Sequence, residues 1–357
     1  MTLRQRALAT PGVEEALYRL PNALDGGAAN TIDAVHPHWQ LGGTPRAGEL
    51  LITAAETHSL VPSQPGTGDV VLGEHGHPTD RHVPFIMLSG GTYLADQTVA
   101  ASSLPDQSDD TGAMPEQAEN VDIAPTLSWL YGINPPAQNQ GRVLTEAFVK
   151  HPAQAQTDGD ITEPIANRAA IFIFDANNSV ELHCLLDSTT CGNPIPAAAT
   201  DPAWVPNLRS LTQKGLFASF GSIAAWPSVT FPNHNTVGSG AYPGHHAIVN
   251  NRFYVRETKE TVNFFDNTQH PLFTFTSALL SPDIETLHEA VHRTFGDWTP
   301  ADGPTSSKAY TASVDEPSSR GADYATLEPD ASFPNPAAYI ATENPAELTE
   351  DTTQSCA

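Results

Sequence analysis

The sequence predicts an α/β fold, and three stretches carry that expectation. Ala170–Phe174 is a fully apolar run closed by Asp175, the pattern of a central parallel strand whose C-terminal end faces a site. Pro206–Lys214 reads as a helix stopped by Gly215, and Leu216–Phe220 returns as a strand, so the three segments make a βαβ unit with an insertion. Trp226–Tyr254, WPSVTFPNHNTVGSGAYPGHHAIVNNRFY, follows and is too polar for a core, with hydroxyls, His and Asn set among Pro and Gly. With Asp175 it looks like half of a metal-assisted active site.

The elements follow in chain order. Residues 3–20 read as a helix and then a strand, separated by Pro11-Gly12. A loop rich in Gly, Asn and His spans 22–43; His36 and His38, beside Pro37 and Trp39, are read as structural. Glu49–Thr53 and Val83–Leu88 are strands, and between them Gly73-Glu74-His75-Gly76 brackets an imidazole with glycines that let backbone approach a ligand or ion. Asp122 is placed as the N-cap of a helix with Pro125 in its first turn and Gly132 at its end, and 141–148 as a last helical piece. Residues 151–168 have the composition of a linker. Asp283–Arg293 reads as an amphipathic helix, and 299–357 is rich in Pro, Ser and Asp.

With 357 residues, 39% of them hydrophobic, the chain can bury a sizeable core in one large domain or two ordinary ones. Asp and Glu number 41 against 16 Lys and Arg, a formal charge of -25. Such a field repels nucleic acid and anionic membrane surfaces, so neither is expected as a partner. Three cysteines, Cys184, Cys191 and Cys356, do not make a disulfide scaffold. The N-terminus lacks the apolar core of a signal peptide, which predicts a cytoplasmic protein if that start is genuine.

Within Trp226–Tyr254, Thr230 sits where a helix can start, so its hydroxyl and the amides after it converge where an anion binds; an N-cap is the plainer role. A hydroxyl is a poor nucleophile at neutral pH, and a divalent metal that lowers its pKa corrects this. A second metal about 4 Å away could hold the leaving group. Asp175 and His75 are the candidate ligands and suit zinc, with manganese as the other option. His245 and His246 order a turn. His288-Glu289-Ala290-Val291-His292 matches the HExxH pattern of zinc proteases, but lacks the longer continuation and reads first as a solvated helix face.

SVTFPNHNTVGSGAYPGHHAIVNNRFYV resembles the nucleophile signature of the type I phosphodiesterase and nucleotide pyrophosphatase family of the alkaline phosphatase superfamily. It departs at Ser239, Ala247 and Val255, where the family has Thr, Gly and Asp. The resemblance implies that Thr230 is the nucleophile that becomes phosphorylated, that Asn251 contacts the phosphoryl oxygen, and that Asp175 ligates the activating metal. Segments within 46–148 (AGELLITAAETHS, GEHGHPTDRHVPF, ENVDIAPTLSWLYGINPP and GRVLTEAF) resemble the family's C-terminal portion and make His75 a ligand of the other metal.

In the family that portion comes last, and a middle portion with further Asp and His ligands has no counterpart here. The resemblance therefore implies an alkaline-phosphatase-like three-layer sandwich with a mostly parallel central sheet, circularly permuted and incomplete, joined at 151–168. It implies hydrolysis of phosphodiester or pyrophosphate bonds in a small phosphodiester or nucleotide, two zinc ions, and impaired activity where ligands are missing. A partner chain could supply those ligands. A non-catalytic, phosphate-binding remnant of the same fold is the alternative.

Overall fold

The computed structural model describes residues 1–55, 58, 81–89, 118–148, 168–175, 177–186, 205–264, 274–299, 301–303, 306–314 and 316–325. Thr2 starts α1 (Leu3–Leu8) with a capping box, its hydroxyl accepting the Gln5 amide while Gln5 reaches back to the Thr2 amide. The turn at Pro11-Gly12, with Gly12 at φ 83°, delivers the chain into β1 (Val13–Tyr18). β1 runs antiparallel to β2 (Leu50–Ala54), in register from Tyr18 opposite Leu50 to Glu15 opposite Thr53, with a shift before Val13 opposite Ala54. Between them lies α2 (Ile32–Val35), in the segment expected as loop.

β3 (His82–Met87) pairs antiparallel with β4 (Leu216–Ile223). α3 (Ile123–Tyr131) follows Asp122 and ends at Gly132, whose φ of 66° closes it. Asp122 stands at the N-cap, as the sequence suggests, but its carboxylate does not cap α3. It accepts the Glu119 amide at 2.9 Å and the Arg142 amide at 2.8 Å, tying the helix entry to the irregular segment twenty residues on. Residues 145–147 form a single 3-10 turn within the expected helical piece. α4 (Ser179–Leu186) and α5 (Pro206–Lys214) precede β4, with Pro206 in the first turn of α5 and Gly215 at its end.

After β4 come α6 (Thr230–Ser239), α7 (Pro243–His246), and a hairpin of β5 (Arg252–Val255) with β6 (Glu260–Asn263). α8 (Thr274–Leu279) and α9 (Leu287–Phe295) follow. α9 starts four residues later than the pattern from Asp283 suggested, because Thr286 and Glu289 form its capping box. The two-residue strands β7 (Ala312–Ser313) and β8 (Tyr324–Ala325) make a parallel pair. The described strands thus form α/β structure in four two-stranded sheets, three of them antiparallel, and the expected parallel central sheet is not among them.

Ala170–Phe174 corrects the sequence reading most directly. It is not a strand, and Phe172 and Phe174 are 80% and 77% exposed. An apolar run becomes a buried strand only when a neighbour takes its backbone hydrogen bonds. Among the described residues no strand lies beside it. The expected βαβ unit therefore keeps its helix and second strand but not its first. His75 and almost all of the proposed 151–168 join lie outside the described residues.

The main core joins the first fifty residues to the segment after β4. Leu17, Ile32, Trp39, Leu41 and Ala47 pack with Trp226, Phe231, Ile248, Val249, Phe253, Val262 and Phe264. Burial of each such side chain contributes about 1.5–3 kcal/mol. Trp39 lies between two rings, stacked on Trp226 at 4.1 Å and on His36 at 3.7 Å, while His36 Nε2 meets Glu15 at 2.9 Å. Arg46 reinforces the junction by donating to the carbonyls of Ala247 and Leu279. At Gly244 a Cβ would fall 1.4 Å from the Gln40 carbonyl oxygen, so no larger residue allows this approach. Among the described residues no helix is long and apolar enough to cross a membrane.

Candidate active site

α6 begins where an extended Val229, at φ -120° and ψ 161°, hands over to Thr230. The turn before it is held by one side chain. Asn233 Nδ2 lies within hydrogen-bonding distance of the carbonyls of Ala225, Pro227 and Val229 at 3.0 to 3.1 Å, so the chain cannot swing away from the helix start. Phe231, one residue on, is 1% exposed and stacks on Phe264 at 4.3 Å, which anchors the helix to the core. Thr230 is left half-buried at the first position of a rigid helix.

Two of the residues assigned by sequence meet Thr230 or its neighbour. Thr230 donates its hydroxyl hydrogen to Asp175 Oδ2 at 2.9 Å, although 55 residues separate them. Asn251 Oδ1 accepts the Phe231 amide at 3.0 Å, satisfying one of the free donors at the start of α6. A backbone N–H can only donate, so the Asn251 oxygen must face it and the amide nitrogen must point the other way. Among the described residues that nitrogen has no hydrogen-bond partner. It is a donor on offer beside the threonine.

His234 lies one turn beyond Thr230 and is 9% exposed. Its Nδ1 meets both Glu316 carboxylate oxygens, at 2.7 and 2.9 Å. Burial disfavours the charged ring, but the hydrogen bond and charge of Glu316, with the charge of Asp175, outweigh it and raise the His234 pKa. Sequence reasoning assigned His234 no chemical role and missed Glu316. No local pattern marks Glu316, which lies 82 residues away in an irregular segment.

The histidines of α7 and α9 have structural surroundings. His246 is fully buried, its Nδ1 accepting the Ile248 amide at 3.2 Å and its Nε2 on Thr236 Oγ1 at 3.1 Å. Burial lowers its pKa to about 3, so it is neutral. It orders the α7 turn, as expected. In the HExxH segment, Glu289 serves the α9 capping box and pairs with Arg320, while His292 meets Asp323 at 3.1 Å. Desolvation first, and the charge of His292 second, lower the His288 pKa to about 4. Glu289 and His292 are committed to separate partners, and the three side chains do not form a metal-binding group.

Among the described residues no three His, Cys, Asp or Glu side chains gather as a metal site. Asp175 is the one assigned ligand in view, and its described contact is to Thr230. The donor set described does not by itself fit zinc, which takes three or four protein ligands.

Residues 198–337 match the family model for type I phosphodiesterase / nucleotide pyrophosphatase. That span contains Thr230, Asn251, His234 and Glu316. A 61-residue stretch is 44% identical to an uncharacterized pyrophosphatase/phosphodiesterase of Schizosaccharomyces pombe, covering 17% of this chain and 12% of that protein. No solved structure matches this chain.

Proposed function

We propose that the chain hydrolyses phosphodiester or pyrophosphate bonds in a small phosphodiester or nucleotide, with Thr230 Oγ1 as the attacking atom. The observation that carries this reading is the 2.9 Å hydrogen bond from Thr230 to Asp175 at the head of α6. It directs the hydroxyl proton toward a carboxylate and leaves an oxygen lone pair for phosphorus. The O–P bond to Thr230 forms as the bond to the leaving oxygen breaks, giving a phospho-threonine that water then hydrolyses. Asn251 Nδ2 faces the anionic oxygens during both steps. The family match over this segment supports the reaction class.

The resemblance adds two zinc ions, with Asp175 and His75 as ligands on this chain and a partner chain as the source of others. Metal would supply charge for the phosphoryl oxygens and acidify the hydroxyl.

The test is hydrolysis of bis(4-nitrophenyl) phosphate by the full chain, with and without added zinc, and metal content measured on the same sample. Thr230→Ala is expected to lose about a hundredfold or more of the rate, the scale of losing an activated nucleophile. Acid quench should trap phosphate on Thr230 in the parent chain. Equal hydrolysis by parent and Thr230→Ala would end this reading.

A further inference from the structure

The parts around His234 are assembled more tightly than a turn requires. The 316–321 segment lies against α6 because position 238 is glycine: a Cβ there would fall 1.9 Å from Ser318 Oγ. The Ser318 amide donates to Glu316 Oε1 at 3.1 Å and fixes the carboxylate. Ser313 Oγ donates to the Glu316 carbonyl at 3.1 Å and fixes the backbone behind it. The carboxylate then holds His234 at 2.7 Å. A carboxylate can only accept, so Nδ1 carries the hydrogen and the ring's orientation is set.

Residues four apart share a helix face, and helical side chains lean toward the N-terminus. His234 and Thr230 therefore share one face of α6. Its Nε2 makes no hydrogen bond among the described residues. Asp175, which holds the threonine hydroxyl, also acts on this ring through its charge. A ring held through Nδ1 by a carboxylate, on the helix face it shares with the Thr230 hydroxyl, has its Nε2 left to present an N–H to an anion.

We propose that His234, oriented by Glu316, is a phosphoryl-binding residue of the Thr230 site, its Nε2 hydrogen-bonding an anionic oxygen of the bound phosphate. This rests on Thr230 being the centre of the site. It assigns Glu316 as the positioning residue behind His234. The Glu316 carboxylate at 2.7 Å favours the doubly protonated ring that Nε2 needs in order to donate, and the raised pKa has the same direction. Asn251 Nδ2 and His234 Nε2 then approach the phosphate from the two segments that frame the helix start.

Inorganic phosphate, titrated into the full chain labelled with nitrogen-15, tests this independently of turnover. The His234 Nε2 resonance is expected to shift on saturation. His234→Gln should weaken phosphate binding about tenfold, the scale of one charge-assisted hydrogen bond. Glu316→Gln, which keeps the side chain's size, should weaken it severalfold with an unchanged melting temperature. Phosphate binding by His234→Gln within about twofold of the parent, an unmoved Nε2 resonance, or no phosphate binding by the parent chain would overturn the proposal. If His234→Gln binds phosphate normally while Thr230→Ala loses hydrolysis, this inference fails and the hydrolase reading stands. If the phosphate results hold while Thr230→Ala hydrolyses normally, the reverse is true.

Discussion

Asn251 reaches back twenty residues to accept the Phe231 amide hydrogen on its side-chain oxygen at 3.0 Å. One residue thereby satisfies a free amide at the start of α6 and sets an amide donor beside Thr230. The two duties separate by substitution. Asn251→Asp keeps an acceptor for Phe231, and adds negative charge near a helix N-terminus, so stability should hold or rise by a few tenths of a kcal/mol. It also removes the donor and repels anions, so affinity for inorganic phosphate should fall about tenfold or more. Asn251→Ala loses both, with stability down by about 1 kcal/mol. Chemical denaturation and phosphate titration on the two variants read the two duties apart.

His246 makes stability depend on acid. Its pKa is lowered to about 3 in the folded chain, against an ordinary 6.5 when unfolded. Between those values the unfolded state binds a proton that the folded state refuses, so stability falls as pH drops from about 6.5 toward 3. The slope from this ring is at most about 1.4 kcal/mol per pH unit. His234 and His292, whose pKa values are raised, act in the opposite sense, contributing stability at low pH that is lost as pH rises through their folded values. Urea midpoints of His246→Gln and the parent at pH 7 and 4.5 isolate the term. The gap between the two proteins should narrow at the lower pH.

Ala247 ends α7 at φ 70° and ψ 8°, a left-handed conformation that costs an L-residue about 1–2 kcal/mol. The resembled signature has glycine at this position. Ala247→Gly relieves the crowding and loses part of the gain to the greater freedom of unfolded glycine. A net stabilisation of up to about 1 kcal/mol is expected in thermal or urea unfolding. An unchanged or lowered midpoint would contradict it.

Phe172 and Phe174, 80% and 77% exposed, bury too little apolar surface to stabilise the described fold. Replacing both with Ser should leave the urea midpoint of the isolated chain within about 0.5 kcal/mol. Binding of a hydrophobic dye, and any self-association seen by light scattering, should fall. A loss of several kcal/mol would mean that these rings are buried in solution.

The sequence was most legible where structure is local. Pro11-Gly12, Pro206 with Gly215, and Gly132 mark boundaries because proline and glycine act on their own backbone. Ala170–Phe174 was misread because an apolar run records a preference for burial and says nothing of whether a partner strand lies beside it. Asp122 was placed at the right position with the wrong bond, since its partner at Arg142 is twenty residues away. Thr230 and Asn251 were singled out by a long motif and Asp175, outside it, by its place after an apolar run; the contacts described are Thr230 with Asp175 and Asn251 with the Phe231 amide. Glu316 was not legible, because only the close approach of its loop to Gly238 brings it to His234.

The stacked Trp39 and Trp226 rings, 4.1 Å apart and within 9° of parallel, belong to the first forty residues and to the approach to Thr230 respectively. Two indoles in van der Waals contact couple their electronic transitions and alter each other's emission. The protein therefore carries an internal optical gauge of whether its amino-terminal segment is seated on the turn before Thr230. Near-ultraviolet circular dichroism reads that seating without any label.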